Sequence, residues 1–312
     1  MRLADVTTPA RGAYVAMADL IALRFPARQL SLTRRKRALS VLAGPNKSNF
    51  RGRGIDFEEV RSYQPGDDIR SIDWRVTART GSAHTKLFRE ERERPVLVAV
   101  DQRSNMFFGS THCFKSVLAA HVASLLAWSA LDAGDRVGGL VFNDTGHREI
   151  RPRRSRKTVL ALISQIDEYN RALPSEAPST MPFAEVLSNL RRIARPGSSL
   201  FIVSDFRGAG DERAREQLFQ LAQHIEITAI ACSDPLEAEL PRAGRYAVTN
   251  GSARSELDTA EKGLRSSYHE RARQQRERLS TDFLKLGIPM LQASTGQAPF
   301  SLLQTFYGDQ RR

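Results

Sequence analysis

Two aspartates close apolar runs in this chain. Val96-Leu97-Val98-Ala99-Val100 ends on Asp101, and the run from Ser199 to Ser204 ends on Asp205. Unbroken apolar runs of this length fit central parallel strands covered on both faces. In such sheets ligands bind beyond the carboxyl ends of the strands, where strand order reverses. Carboxylates at those ends could ligate a hard divalent cation, so a metal-dependent hydrolase built on Asp101 and Asp205 is one function class to weigh. Other catalytic patterns are faint. Gly52-x-Gly54 lacks the third glycine and the preceding buried strand of a dinucleotide fingerprint, and no phosphate-binding loop is present. The 6 histidines stand singly, without metal-ligand spacing. Ser204, Asp205 and His224 are set aside as a triad, because a lone histidine near a strand start is usually structural. The expectation is a protein that is not an enzyme.

The elements that would position these aspartates follow from periodicity. After the strand at 96–100, Phe114 to Leu131 reads as a long apolar helix and Val137 to Phe142 as a second strand. Asn143-Asp144-Thr145-Gly146 turns into a short edge strand around Glu149-Ile150. Thr158–Tyr169, Phe183–Ala194 and Glu212–Gln223 read as helices, with strands at Ser199–Ser204 and Ile225–Ala231. This alternation predicts an α/β fold with a doubly wound, mostly parallel sheet. One long amphipathic helix is expected over Glu256–Leu286, with Leu257, Leu264, Tyr268, Leu279, Phe283 and Leu286 on its buried face. A last strand at Ile288–Leu291 and a closing helix around Phe300, Leu303 and Phe306 complete the chain.

Upstream, residues 13–42 read as one or two helices broken at Pro26. Phe50 to Arg94 is rich in Gly, Arg and Asp. Short strands are expected there around Ile55–Tyr63, then at Ile69, Ile72, Trp74 and Val76, and again at Thr85–Phe88. The resulting organisation is an N-terminal helical segment (1–44), a small β-rich subdomain (45–94), the α/β domain (95–250), and a C-terminal helix and strand packing on the core (251–312).

With 312 residues, 41% of them hydrophobic, the chain can bury a full core without staples. Cys113 and Cys232 suit free, buried thiols and a cytoplasmic compartment. No stretch has the roughly 20 apolar residues of a bilayer span, so any membrane contact is expected to be peripheral, at the inner face. The net charge of +12 invites a nucleic-acid reading. Most basic runs, however, have acids beside them. The two that do not, Arg34–Arg37 and Arg151–Lys157, contain no aromatic residue to stack a base. A solvated face is the plainer reading, and nucleic acid is disfavoured as a partner.

The most specific stretch runs from Gly54 to Trp74, through Arg61, Tyr63, Gly66, Asp67, Arg70 and Asp73, and continues with Thr77-Ala78-Arg79 and Lys86 to Glu91. It resembles the motif of the bacterial domain-of-unknown-function 58 family, over about residues 45 to 250 in order. The resemblance implies a von Willebrand factor A-like domain and no established catalytic activity. It also implies a setting beside MoxR-type AAA+ ATPases and membrane-anchored von Willebrand A proteins, which are the expected partners. From the residues themselves, Asp67, Asp68 and Asp73 among Arg61, Arg70, Arg75 and Arg79 read as a structural ion-pair network, with Trp74 in a core.

The family fold further implies a metal-ion-dependent adhesion site of the form Asp-x-Ser-x-Ser, completed by a threonine and an aspartate from later loops. Here the first part reads Asp101-Gln102-Arg103-Ser104-Asn105, with Arg103 and Asn105 in place of the serines. Thr180 is placed for the threonine, Ser179 equally so, and Asp205 for the last aspartate. A guanidinium beside a divalent cation is repulsive. Arg103 is therefore expected to stand in for the ion, leaving a degenerate site at Asp101, Arg103, Asn105, Thr180 and Asp205 that serves as a partner contact. If Mg or Mn binds at all, its ligands would be Asp101, Asn105, Thr180 and Asp205. The reading is a non-catalytic adaptor that needs no cofactor.

Overall fold

The computed structural model describes residues 6–32, 56–64, 72–89, 95–172, 181–249 and 254–308. The chain forms two compact units, one of residues 1–47 with 95–312 and one of residues 48–94.

The larger unit begins with two short helices, α1 (Met17–Ala22) and α2 (Arg24–Ala27). The break between them falls at Leu23 rather than at Pro26. Pro26 instead lies in the first turn of α2, where a missing N–H costs nothing. In the smaller unit, β1 (Asp56–Ser62) pairs antiparallel with β2 (His84–Arg89), and α3 (Trp74–Thr80) precedes β2. The strand expected at Trp74 and Val76 is thus a helix. The Asp73 carboxylate starts it by accepting from the Arg75 and Val76 N–H groups at 3.0 and 3.2 Å, and Gly81 at φ 73° ends it. No residue of α3 is buried, and Trp74 is 67% exposed, which corrects its expected place in a core.

The α/β alternation resumes with β3 (Pro95–Asp101), α4 (Lys115–Asp132), β4 (Arg136–Phe142), β5 (His147–Arg153), α5 (Arg156–Arg171), α6 (Phe183–Ile193), β6 (Ser199–Ser204), α7 (Glu212–Ala222) and β7 (Glu226–Ser233). A short helix, α8 (Pro235–Ala238), a hairpin of β8 (Arg245–Thr249) and β9 (Arg254–Asp258), the long α9 (Lys262–Lys285), β10 (Met290–Ser294) and α10 (Pro299–Tyr307) follow. The six-stranded sheet has the order β10-β7-β6-β3-β4-β5. Every pair is parallel except the β4–β5 edge. This is the expected α/β class with a doubly wound, mostly parallel sheet. The expected long helix starts later than read: 254–258 is a strand of the hairpin, and the helical run begins at Lys262.

Two apolar layers sandwich the sheet. One joins Val98, Val100 and Val141 to Leu118, Leu125, Leu162 and Leu303. The other joins Leu97, Ala99 and Ile202 to Phe183, Leu187, Leu218 and Phe283. Helix α4 is buried on nearly all sides, as an apolar helix with no polar face must be. Gly139 lets β4 lie close to β3, since a Cβ there would stand 2.2 Å from the Val98 carbonyl oxygen. The sheet's first strand, β3, has β4 on one side and β6 on the other. Strand order therefore reverses between β3 and β6, and the ends of those two strands carry Asp101 and Asp205.

Candidate functional site

Asp101 ends β3 with no exposed surface. A carboxylate so placed must be matched by donors, and four groups supply them. The Arg103 N–H donates to Oδ1 at 2.9 Å, and Arg103 Nε donates to the same oxygen at 3.0 Å. Arg103 Nη2 and Ser204 Oγ each donate to Oδ2 at 2.7 Å. The guanidinium and carboxylate thus meet as a fork. Its remaining reach goes to the Arg207 carbonyl at 3.2 Å and to Asp205 Oδ1 at 4.0 Å. Its Cζ lies 5.6 and 5.4 Å from the ring centroids of Phe142 and Phe183, which place quadrupoles against the charge.

Asp205 is held by a different cation. Lys115 Nζ, at the start of α4, donates to Asp205 Oδ2 at 2.9 Å and to Glu237 Oε1 at 2.6 Å. Asn105 Nδ2 lies 2.7 Å from both Asp205 oxygens, and the Arg207 N–H donates to Oδ1 at 3.0 Å. The result is a chain of alternating charge: Asp101, Arg103, Asp205, Lys115, Glu237. Burial pushes the Asp101 carboxyl above the usual carboxylate range, against the pull of Arg103. Burial also works against a charged Asp205, but Lys115, Asn105 and the Arg207 N–H outweigh it and hold that carboxyl below the usual range. For Lys115, burial favours the neutral amine, yet Asp205 and Glu237 keep the ammonium above its ordinary value.

The structure therefore brings together Asp101, Arg103, Asn105 and Asp205. Thr180, like Ser179, lies outside the described residues. So do Gly66, Asp67, Asp68 and Arg70 of the family motif, and with them three of the seven residues of the ion-pair network expected there. Arg61 and Tyr63 are half-buried on or beside β1, Asp73 caps α3, and Arg79 is exposed. His224 is in the turn after α7, and no hydrogen bond joins it to Ser204 among the described residues. The Arg34–Arg37 cluster is outside the described residues, whereas Arg151, Arg153, Arg154, Arg156 and Lys157 all face solvent.

Lys115 and Glu237 were missed in the sequence. The available signal was a lysine opening a helix otherwise buried on nearly every side. A second polar chain was also missed: the Val15 N–H donates to Asn170 Oδ1, Asn170 Nδ2 to Gln102 Oε1, and Gln102 Nε2 to the Ser116 carbonyl, at 2.8, 3.0 and 3.0 Å. It ties the N-terminal segment to the loop that bears Arg103. In the turn leaving β6, Phe206 adopts φ 59°, rare for a side chain of that size. Its N–H donates to Ser204 Oγ at 2.9 Å, and its ring packs 4.9 Å from Phe283 and 6.0 Å from Phe183.

The oxygens open in principle to a cation are those of Asp101, Asp205 and the Asn105 side-chain carbonyl. Both carboxylates already receive a positively charged donor. Among the described residues, no group of three or more His, Cys, Asp or Glu side chains could hold a metal ion. No helix among them is long and apolar enough to cross a membrane.

Comparison with known proteins adds the following. Uncharacterised proteins of Mycobacterium tuberculosis and Mycobacterium bovis are 28% identical over 288 residues, which is 91% of this chain and 89% of each relative. Among solved structures, an aerotolerance-related membrane protein from Bacteroides fragilis is 12% identical and aligns over 68% of this chain and 98% of its own, with a TM-score of 0.41. The von Willebrand A domain of the protein named SpRpn10 is 10% identical over 68% of this chain and 94% of its own, with a TM-score of 0.34. The model for proteins of unknown function DUF58 matches residues 59–278, more than half of the sequence, and the chain belongs to that family.

Proposed function

We propose that this protein is a non-catalytic interaction module that works with a MoxR-type AAA+ ATPase, and with membrane-anchored von Willebrand A proteins, in assembling or remodelling a membrane-associated complex. Its contact surface is the strand-end face at Asn105 and Asp205, with Asp101 and Arg103 buried directly beneath it. The observation that carries this reading is the internal pairing of both carboxylates, Asp101 by Arg103 at 2.7 Å and Asp205 by Lys115 at 2.9 Å. A general base or a metal ligand needs a free oxygen lone pair, and these are spent on two cations together with Ser204, Asn105 and backbone N–H groups.

The donor set does not fit a divalent ion. Placing Mg²⁺ between Asp101 and Asp205 would set it beside a guanidinium and an ammonium, each repelling it in a site where water screens little. The two cations take the electrostatic role the ion would have, so the site needs no metal and the face is preformed. The setting beside an ATPase and a membrane complex rests on the family resemblance, and a peripheral position at the inner membrane face follows from it.

The test is an affinity pull-down of the tagged protein from host lysate, with and without nuclease treatment, beside an Arg207→Glu variant. Arg207 is exposed on the same turn and leaves the buried pairs intact. Recovery of an AAA+ ATPase that the variant loses supports the reading. Recovery only of partners that vanish with nuclease overturns it in favour of nucleic-acid binding. One-to-one uptake of Mg²⁺ or Mn²⁺ in calorimetry overturns the metal-free site.

A further inference from the structure

The Lys115 ammonium joins two carboxylates of unequal standing. Asp205 is held from three sides and its side chain is 12% exposed, whereas the Glu237 side chain is 38% exposed. Glu237 sits in α8, a helix of four residues. Among the described residues its other oxygen accepts only a local bond, from the Asp234 N–H at 3.0 Å, as the return half of a capping box. Helix α8 does not depend on that bond. Asp234 anchors it independently, accepting from Ser110 N, Ser110 Oγ, Thr295 Oγ1 and Leu236 N at 2.8, 2.6, 2.6 and 3.0 Å. The Glu237 side chain can therefore swing into water without dismantling its surroundings. Lys115, with its side chain 2% exposed, cannot.

We propose that Lys115 is a receptor for an acidic side chain of a partner protein, and that Glu237 occupies this place in the unbound molecule. The inference rests on the interaction reading above and names the chemistry the partner presents: one aspartate or glutamate that displaces Glu237 and completes the chain Asp101, Arg103, Asp205, Lys115. Charge complementarity selects the acid. With Glu237 withdrawn, the buried ammonium has Asp205 as its one anionic partner among the described residues, and Asp205 is itself shared with Arg103 at 4.0 Å. An incoming carboxylate restores what Glu237 supplied. An incoming neutral or basic group leaves a desolvated cation short of a partner and is rejected. The exchange of one carboxylate for another keeps the net charge of the site constant, so specificity lies in the rest of the partner's surface.

N-acetylglutamate α-amide, which carries one side-chain carboxylate, is the probe. It is titrated into the full chain while the Asn105 side-chain amide, which donates to Asp205, is followed by NMR. Glu237→Ala is expected to saturate with at least tenfold less probe than the wild type. The further change Lys115→Met with Asp205→Asn removes both buried charges together, so that neither is stranded, and is expected to abolish the response. If Glu237→Ala takes up the probe no better than the wild type, or if uptake survives loss of Lys115, the proposal is overturned. These titrations involve no partner, so they stand or fall apart from the pull-down. An ATPase captured without probe uptake keeps the interaction reading and removes the acid receptor. Probe uptake without ATPase capture does the reverse.

Discussion

Lys115 Nζ and Asp205 Oδ2 lie 2.9 Å apart, although 90 positions separate the two residues. Lysine is poorly placed at this point of a helix, because the first turn of α4 carries the positive end of the helix dipole. It is tolerated because Asp205 and Glu237 face it from two other elements. Breaking the pair from one side strands a buried carboxylate. Lys115→Met is therefore expected to cost about 3 kcal/mol, whereas Lys115→Met with Asp205→Asn should recover most of the loss. Urea unfolding of the two variants and the wild type measures both values.

Phe206 inverts the usual ranking of small substitutions. At an ordinary buried site glycine is worse than alanine by about 0.5–1 kcal/mol, because it has more backbone freedom to lose. At φ 59° any residue with a Cβ carries about 1 kcal/mol of strain, which glycine escapes. Both changes empty the space between Phe183 and Phe283 and are expected to destabilise by several kcal/mol. Phe206→Gly should nevertheless be the more stable of the two. Finding Phe206→Ala ahead in chemical denaturation would show that the turn relaxes out of the left-handed region when the ring is gone.

The sheet was legible in the sequence because its strands are buried on both faces. Runs such as Val96–Val100 and Ser199–Ser204 have no other stable use in a chain of this size. What escaped was structure with no apolar pattern to announce it. Strand β9 faces solvent along most of its length, so its end at Glu256–Asp258 reads as the start of the long amphipathic helix, and Asp73 converts an alternating stretch into the capped helix α3. Of the site, the ends of β3 and β6 gave Asp101 and Asp205, and the motif spacing gave Arg103 and Asn105. Lys115 and Glu237 reach the site only through the packing of α4 and α8 against those ends. That convergence is a property of tertiary structure, and no spacing along the chain encodes it.

The two thiols should be inert in the native state. Both cysteines are free and buried. Burial pushes the Cys113 thiol up to about 12, with Asp234 adding to the effect, and it pushes Cys232 well above the ordinary thiol range. At pH 8 the reactive thiolate of Cys113 is then about one part in 10,000. Iodoacetamide at that pH is expected to label neither residue in the folded protein and both in guanidinium. Labelling at a rate independent of reagent concentration would report opening of the core, whereas rapid second-order labelling of Cys113 would contradict its burial.

His121, on the buried helix α4, ties stability to mild acid. Burial pushes its imidazole down from 6.5 to about 4, and Asp19 only partly offsets that. Between those two values the unfolded chain binds a proton at this position and the folded chain does not. Stability therefore falls as pH drops through that window and is fully present above it. The span sets an upper bound of about 3.5 kcal/mol, at roughly 1.4 kcal/mol per pH unit. His121→Gln removes the titrating group and is expected to flatten the slope of unfolding free energy between pH 6.5 and 4, while leaving any loss at lower pH to carboxylates such as Asp205. Unfolding curves at half-unit intervals, for wild type and variant, make the comparison. An unchanged slope in the variant would place the acid sensitivity elsewhere in the fold.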